Sequence, residues 1–297
     1  MERTIFLVGP TAVGKTAVAL ELAPRLNAEI VSADSMQVYR GLDIGTAKPT
    51  AAERAAVRHH LVDVCEPGEV FDVKRFVELA EQAIAEIRSR GKVALVVGGS
   101  GLYVRALRQG MFTGPGRDEA LRERLEAMPV EALFAELQQV DAATAERIDG
   151  QNPRRLVRAL EVFYAGGKGM RELQREWNHG EPVGRLFGLR RSRAELVARI
   201  EARIDEQMAA GWLDEARGVM AGVTAMQAAG YRELAAHLRG ESALPTAVNL
   251  IKIRTRQLAK RQMTWFRREA GLTWADVREN ESPCDIAGRI FSQLEDV

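Results

Sequence analysis

Eight residues near the N-terminus, Gly9-Pro10-Thr11-Ala12-Val13-Gly14-Lys15-Thr16, satisfy the spacing G-x-x-x-x-G-K-[ST]. Glycines at the fixed positions let backbone N–H groups turn inward around phosphate oxygens. Lys15 adds a positive charge, and the Thr16 hydroxyl can join the shell of a Mg2+ ion. The pattern predicts a phosphate or diphosphate site. A nucleotide hydrolase would add a carboxylate at a nearby strand end to organise the metal. The apolar run Ala94-Leu95-Val96-Val97 ends instead in Gly98-Gly99-Ser100-Gly101. That argues against a motor or switch ATPase and leaves a small-molecule kinase open. Asp34, closing another apolar run, belongs at the same sheet edge as Gly9–Thr16. It reads as a general base or acceptor binder, or as a cap for the turn Ser35-Met36-Gln37. The glycines around Ser100 either admit a ligand close to the backbone or make a turn. Arg199 and Arg203, four apart, either clamp a departing anion or form a solvated ladder with Glu195, Glu201 and Asp205.

The elements that must carry these residues are short buried strands alternating with helices. Thr4–Val8, Glu29–Ser32 and Val93–Val97 are runs of the kind that become parallel strands, and Leu186–Leu189 returns to the sheet. A helix follows the glycine-bearing turn through Ala17, Leu20 and Ala23 and stops near Pro24. Phe76, Leu79, Ala80, Ala83, Ile84 and Ile87 mark one face of a helix capped by Asp72 and stopped at Gly91. Strand, helix, strand at these lengths predicts an α/β fold: a parallel P-loop sheet flanked by helices. From Gly110 to Gly116 the pattern breaks, and residues 113–185 read as an all-helical insertion domain between core segments 1–112 and 186–297. Its helices carry Leu121, Leu125 and Met128, then Leu133 and Leu137 after Pro129. A third runs from Asn152–Pro153 to Gly166–Gly167. Ser192-x-x-Glu195 is a capping box, and a last long helix begins near Pro245.

At 297 residues the chain can bury a sizeable core, and 46% hydrophobic with 28% charged residues is an ordinary globular balance. No apolar run approaches a membrane span, and Met1–Glu2–Arg3 leads straight into a strand, so neither membrane nor leader is expected. Cys65 and Cys284 are isolated, with no disulfide or metal spacing. A cytoplasmic protein follows. Net charge is +1, but seven basic residues and no acid lie between Lys252 and Arg268. On a helix seated through Val248, Ile251, Leu258 and Trp265, they flank the seam on both sides. With no acids in the segment to balance them, they favour a nucleic-acid backbone over a solvated face. Asn152-Pro153-Arg154-Arg155 adds a basic helix N-terminus.

Together these residues resemble the tRNA dimethylallyltransferases, or tRNA isopentenyltransferases, over nearly the whole chain. Gly9–Thr16 resembles that family's P-loop, and Asp34 to Pro49 its most distinctive block. Val97 to Tyr103, Asn152 to Glu161, Gly230 to Glu233 and Thr255 to Gln262 follow in the family's order. The resemblance implies transfer of a dimethylallyl group from dimethylallyl diphosphate to N6 of adenosine 37, beside the tRNA anticodon. Gly9–Thr16 would then hold a diphosphate, although the motif looks like an ATP site. By the same resemblance Asp34 accepts the N6 proton and Ser100 helps position that acid. Lys15, Arg203 and Mg2+ bound through Thr16 neutralise the leaving group. It further implies tRNA contacts at Asp34, Ser35, Met36, Gln37, Ser100, Arg122, Gln151, Asn152, Pro153, Arg154, Arg155, Gln227, Gly230, Tyr231, Arg232, Lys260, Arg261 and Gln262. The helical insertion would grip the anticodon stem, and the enzyme would act as a monomer. Ser100 stands where the family usually has Thr, Val13 replaces a small polar residue, and the stretch from Gly218 to Ala225 is shorter than usual. An adenylate isopentenyltransferase keeps the chemistry but needs neither the insertion nor the basic helix. A kinase predicts phosphoryl transfer and no tRNA affinity, and an RNA-binding module leaves the P-loop and Asp34 idle.

Overall fold

Period-2 alternation of apolar side chains explains the central sheet. Phe6 and Val8 of the first strand pack on one face, whereas Ile5 and Leu7 pack on the other. Both faces of such a strand must be covered, as parallel sheets require. In the computed structural model, which describes residues 4–110, 118–176, 182–219 and 228–295, six parallel strands form one sheet. They are β1 (Thr4–Val8), β2 (Ala28–Ser32), β3 (His59–His60), β4 (Val93–Gly98), β5 (Arg185–Arg190) and β6 (Leu272–Asp276), in the order β3-β2-β4-β1-β5-β6. The expected parallel α/β sheet is therefore present. Sequence reading missed its two edges: β3 is two residues long, and β6 has a half-exposed Leu-Thr-Trp-Ala-Asp pattern without a continuous apolar run.

Two compact units make up the chain, Met1–Arg108 with Pro182–Val297, and Gln109–Glu181. The periodicity boundaries, 113 and 185, each lie four residues later. At the second, Arg185 is already paired in β5.

In the first unit, α1 (Lys15–Arg25) leaves the P-loop and buries Val18, Ala19, Leu22 and Ala23. Ala17, expected on the buried face, is exposed, so the packed stripe is rotated by about one residue. The helix stops at Arg25, one residue past Pro24, whose missing N–H in the last turn forfeits a single helical bond. Short α2 (Ala51–Ala56) precedes β3, and α3 (Val73–Ser89) follows it, with the Asp72 side chain accepting the Arg75 N–H at 2.9 Å. After β4 comes α4 (Gly101–Gln109).

Among the described residues the second unit is all-helical: α5 (Glu119–Glu126), α6 (Val130–Val140), α7 (Ala142–Ala145), α8 (Pro153–Gly166) and α9 (Met170–Glu176). Leu125, Leu133, Leu137, Leu156 and Leu160 form its own core. Pro153 opens α8, and left-handed Gly167 closes it.

The chain then returns to the first unit with α10 (Arg193–Ala209), α11 (Trp212–Val219), α12 (Tyr231–Leu238), α13 (Leu244–Phe266) and α14 (Pro283–Glu295). The capping box is only half made. Ser192 accepts the Glu195 N–H at 3.2 Å, while the Glu195 carboxylate goes to Arg191. Nor is α13 the last helix: α14 packs with α1 on one face of the sheet, and α3, α4 and α10 to α13 cover the other. Among the described residues, no helix is long and apolar enough to cross a membrane.

Candidate active site

Parallel β1, β2 and β4 are neighbours, so their C-terminal ends open on one sheet edge, the general place for ligands in such folds. Gly9 to Thr16 follows β1, Asp34 follows β2, and Ser100 follows β4. The loop after β1 depends on unusual backbone angles: Gly9 at φ 148°, Ala12 at 62° and Gly14 at 108°. A Cβ on Gly9 would sit 2.7 Å from the Leu189 carbonyl oxygen, so a side chain there collides with β5.

Lys15 donates to the carbonyls of Gly9 at 2.9 Å and Pro10 at 2.8 Å. Burial pushes the Lys15 ammonium down to about 8; the Asp34 carboxylate partly counters this, and the Arg203 guanidinium reinforces it. Arg203 donates to the Thr11 hydroxyl at 3.3 Å, and burial lowers its pKa too. Arg199 donates to the Ala12 carbonyl at 2.9 Å, and Arg191 to that of Val13 at 3.0 Å. The solvated ladder is absent among the described residues, because Glu201 binds Arg256 and Asp205 binds Lys252. Asp34 does cap its turn. Its Oδ1 accepts the N–H groups of Met36 at 2.9 Å and Gln37 at 3.4 Å, and the residue also lines the cavity with Lys15 and Arg203. Ser100 makes no bond to that carboxylate; its Oγ accepts the N–H of the next residue, Ser35, at 3.2 Å.

The cavity so formed has a volume of about 490 Å³. Thr16 lines it beside Lys15, and the apolar side chains of Ile200, Ile204, Trp212 and Leu258 contribute the opposite kind of wall. Gln262 of α13 accepts the Thr11 N–H at 2.8 Å and donates to the Gly99 carbonyl at 3.0 Å. It therefore ties the phosphate loop to the end of β4 across the mouth of β1. The family resemblance puts Gln262 among RNA contacts, and no sequence signal marks Arg191.

Three further expectations are corrected. Tyr231, placed among RNA contacts, is fully buried and its hydroxyl is held by Glu215 at 2.5 Å, so its side chain has no face for RNA. Acids do balance part of the basic helix: Lys252 pairs with Asp205 at 2.6 Å, Arg256 with Glu201 and Arg254 with Glu233. Lys260, Arg261, Arg267 and Arg268 remain exposed with no carboxylate partner among the described residues. The fully buried residues of α13 are Ala247, Ile251, Ala259 and Phe266; the expected Val248 and Trp265 are partly buried against the same core, whereas Leu258 faces the cavity. Gly230, at φ 100°, fits against Trp212, where a Cβ would lie 2.2 Å from the ring; Arg232 beside it is exposed. Gln227 lies outside the described residues.

Within the helical unit, Arg122 pairs with Glu126 at 2.8 Å and with buried Glu161 at 3.4 Å, which makes it part of that unit's framework. Asn152 caps α8 by accepting the Arg155 N–H at 3.3 Å, with Pro153 in the first turn. Gln151, Arg154 and Arg155 are exposed around that N-terminus.

A phosphate loop after a central parallel strand, with cations on its far side and a carboxylate at the end of β2, beyond the intervening β4, defines a P-loop α/β protein. The family model of the IPP transferases matches residues 37–269. A tRNA dimethylallyltransferase of Anaeromyxobacter dehalogenans (strain 2CP-C) is 50% identical over 92% of this chain and 94% of its own. The full-length tRNA isopentenylpyrophosphate transferase of Bacillus halodurans superposes with a TM-score of 0.73 at 40% identity, covering 100% and 98% of the two chains. A eukaryotic dimethylallyltransferase caught in crystallographic snapshots acting on tRNA gives 0.77 at 25% identity, over 92% of this chain and 74% of that one. The chain belongs to the IPP transferase family.

Proposed function

We propose that this chain is a tRNA dimethylallyltransferase that moves the dimethylallyl group of dimethylallyl diphosphate onto N6 of adenosine 37. The observation that carries the reading is the meeting of Lys15, Arg203, the phosphate loop and Asp34 in one cavity with an apolar wall. The relatives' activity agrees with it.

An allylic C–O bond breaks with carbocation character, so charge gathers on the diphosphate as it leaves with the bonding pair. Donors aimed at that charge act mainly on the transition state, and removing one typically costs about 3 kcal/mol. Lys15 and Arg203 now donate to loop oxygens within the cavity and can turn those donors to the diphosphate. The N6 nitrogen forms its bond to the allylic carbon and gives up a proton, which the Asp34 carboxylate accepts. Its Oδ1 is fixed by the Met36 N–H, so the acid is held in place by backbone. Adenosine 37 must leave its stack to reach this point, at a cost of a few kcal/mol that is least in a single-stranded loop.

The donor set suits Mg2+. No group of three or more acidic, His or Cys side chains among the described residues could hold an ion, but the Thr16 hydroxyl lines the cavity beside Lys15. In P-loop sites such a hydroxyl, completed by substrate phosphate oxygens and water, joins the Mg2+ shell. When bound, it supplies Lewis-acid neutralisation of the leaving diphosphate. Exposed Lys260, Arg261, Arg267 and Arg268 supply phosphate-backbone contacts, and a cytoplasmic monomer is part of the same reading.

The test incubates purified protein with Mg2+, labelled dimethylallyl diphosphate and either unmodified tRNA or AMP, followed by digestion and mass spectrometry. Label on N6 of adenosine 37 is expected. Label on AMP alone, or phosphoryl transfer from ATP in place of prenyl transfer, would overturn the reading.

A further inference from the structure

The loop after the Asp34 turn folds around a carboxylate from a distant helix. Glu215 of α11 accepts three consecutive backbone N–H groups: Asp43 at 2.8 Å and Ile44 at 2.7 Å on Oε2, and Gly45 at 2.9 Å on Oε1. Successive amides turned inward form an anion nest, and here the anion is the protein's own side chain. The Tyr231 hydroxyl donates to the same Oε1 at 2.5 Å, and Gln207 donates to the Ile44 carbonyl at 2.5 Å. Gly45 has no room for a side chain, since a Cβ would meet Trp212 Nε1 at 2.1 Å and the Tyr231 hydroxyl at 2.6 Å. On the loop's other side, buried Lys48 ties it to the Tyr39 carbonyl at 2.8 Å and to Asp43 and Asp63 at 2.5 Å.

This cradle leads directly to the reacting carboxylate. Gly45, Thr46 and Ala47 line the cavity. The carbonyls of Thr46 and Ala47 accept from Gln37 Nε2 at 3.3 and 3.1 Å, and the Gln37 N–H in turn bonds Asp34 Oδ1. Gln37 Oε1 accepts from Ser32 at the end of β2, which fixes the amide's orientation.

We infer that Glu215 is a positioning residue of the transfer reaction: by filling the nest at Asp43–Gly45 it sets the loop from which Gln37 holds the Asp34 turn. Tyr231 and Gly230 lie beside it, so segment 228–232 connects to the acid through the Tyr231–Glu215 bond. The inference rests on the proposed prenyl transfer for its kinetic consequence, although its structural content stands apart from that reading.

Glu215→Gln is nearly isosteric but replaces one accepting oxygen by an NH2 group that faces N–H donors. Displacement of a catalytic group by a fraction of an ångström to an ångström costs up to about 100-fold in rate. In Glu215→Gln, single-turnover prenyl transfer is expected to fall about 10- to 100-fold, with dimethylallyl diphosphate affinity within about twofold of wild type. Glu215→Asp, which restores the charge, should recover part of the rate. Tyr231→Phe, which keeps the ring in place, should show a smaller loss of the same kind. Hydrogen exchange is read alongside: the amides of Asp43, Ile44 and Gly45 should exchange faster in Glu215→Gln, while those of the phosphate loop do not change. An unchanged rate in a folded Glu215→Gln protein, or nest amides that stay protected in it, would overturn the inference. Wild-type protein that fails to prenylate tRNA would bring down the proposed function instead, and the exchange measurement would then decide the cradle by itself.

Discussion

Lys15 should take up a proton when diphosphate binds. Its ammonium is held at about 8 in place of 10.5, chiefly by burial, a penalty on the charged form of about 3 kcal/mol. A bound diphosphate supplies the missing counter-charge and restores the ammonium. With a ligand-free value of 8, about a tenth of the sites are neutral at pH 7, about half at pH 8 and about nine-tenths at pH 9. The ligand's own last ionisation lies near pH 6 and does not contribute above pH 8. Binding of dimethylallyl diphosphate should therefore absorb about half a proton at pH 8 and nearly one at pH 9. Because the free protein sheds this proton as pH rises and the complex keeps it, affinity should fall above pH 8, approaching tenfold per pH unit. Titration calorimetry in two buffers of different ionisation heat measures the uptake. Lys15→Arg, whose guanidinium does not titrate in this range, should abolish it. Asp34→Asn removes the neighbour that raises the Lys15 pKa and should move uptake to lower pH. No buffer dependence in the wild type, or the same uptake in Lys15→Arg, would refute the assignment.

Gly9→Ala should abolish diphosphate binding and lower the melting temperature, since its Cβ would press on the Leu189 carbonyl; calorimetry and thermal melts check both. Replacing Lys260 and Arg261 by Gln should reduce the log–log salt slope of tRNA binding by up to about two, measured by filter binding from 50 to 200 mM salt. Buried Glu29 gathers Arg90, His60 and Lys92; burial pushes its carboxyl up, but their hydrogen bonds prevail and hold it at about 2. A depressed carboxyl contributes stability above its unfolded pKa near 4.5 and loses it as pH falls toward 2. Glu29→Gln should therefore cost about 3 kcal/mol at pH 7 in urea unfolding and flatten the acid limb of the stability curve.

What could be read from sequence was what is local. The phosphate loop, the Asp34 turn and the α3 and α8 caps each lie within a few residues of their own partners. Arg191 and Glu215 escaped notice, and so did the tie that Gln262 makes to the phosphate loop, because the partners lie 163 to 251 residues away and no spacing rule spans that distance. The charge of α13 misled for the same reason. Its acids, Glu201, Asp205 and Glu233, come from α10 and α12, so a window confined to one helix could not find them. Tyr231 comes among the RNA contacts only through the family resemblance of Gly230-Tyr-Arg-Glu233, whereas its ring packs against Trp212 with centroids 5.8 Å apart. Short β3 and half-exposed β6 carry too few apolar residues to stand out from loop.

The central claim is that Asp34 takes the N6 proton in a site whose diphosphate cradle is otherwise intact. Asp34→Asn keeps an oxygen for the Met36 N–H but cannot accept the proton. Rapid-quench single-turnover assays with saturating tRNA and labelled dimethylallyl diphosphate compare it with the wild type. The account predicts a loss of about 100- to 10,000-fold in the transfer step with tRNA binding unchanged. Equal single-turnover rates in the two proteins would contradict it.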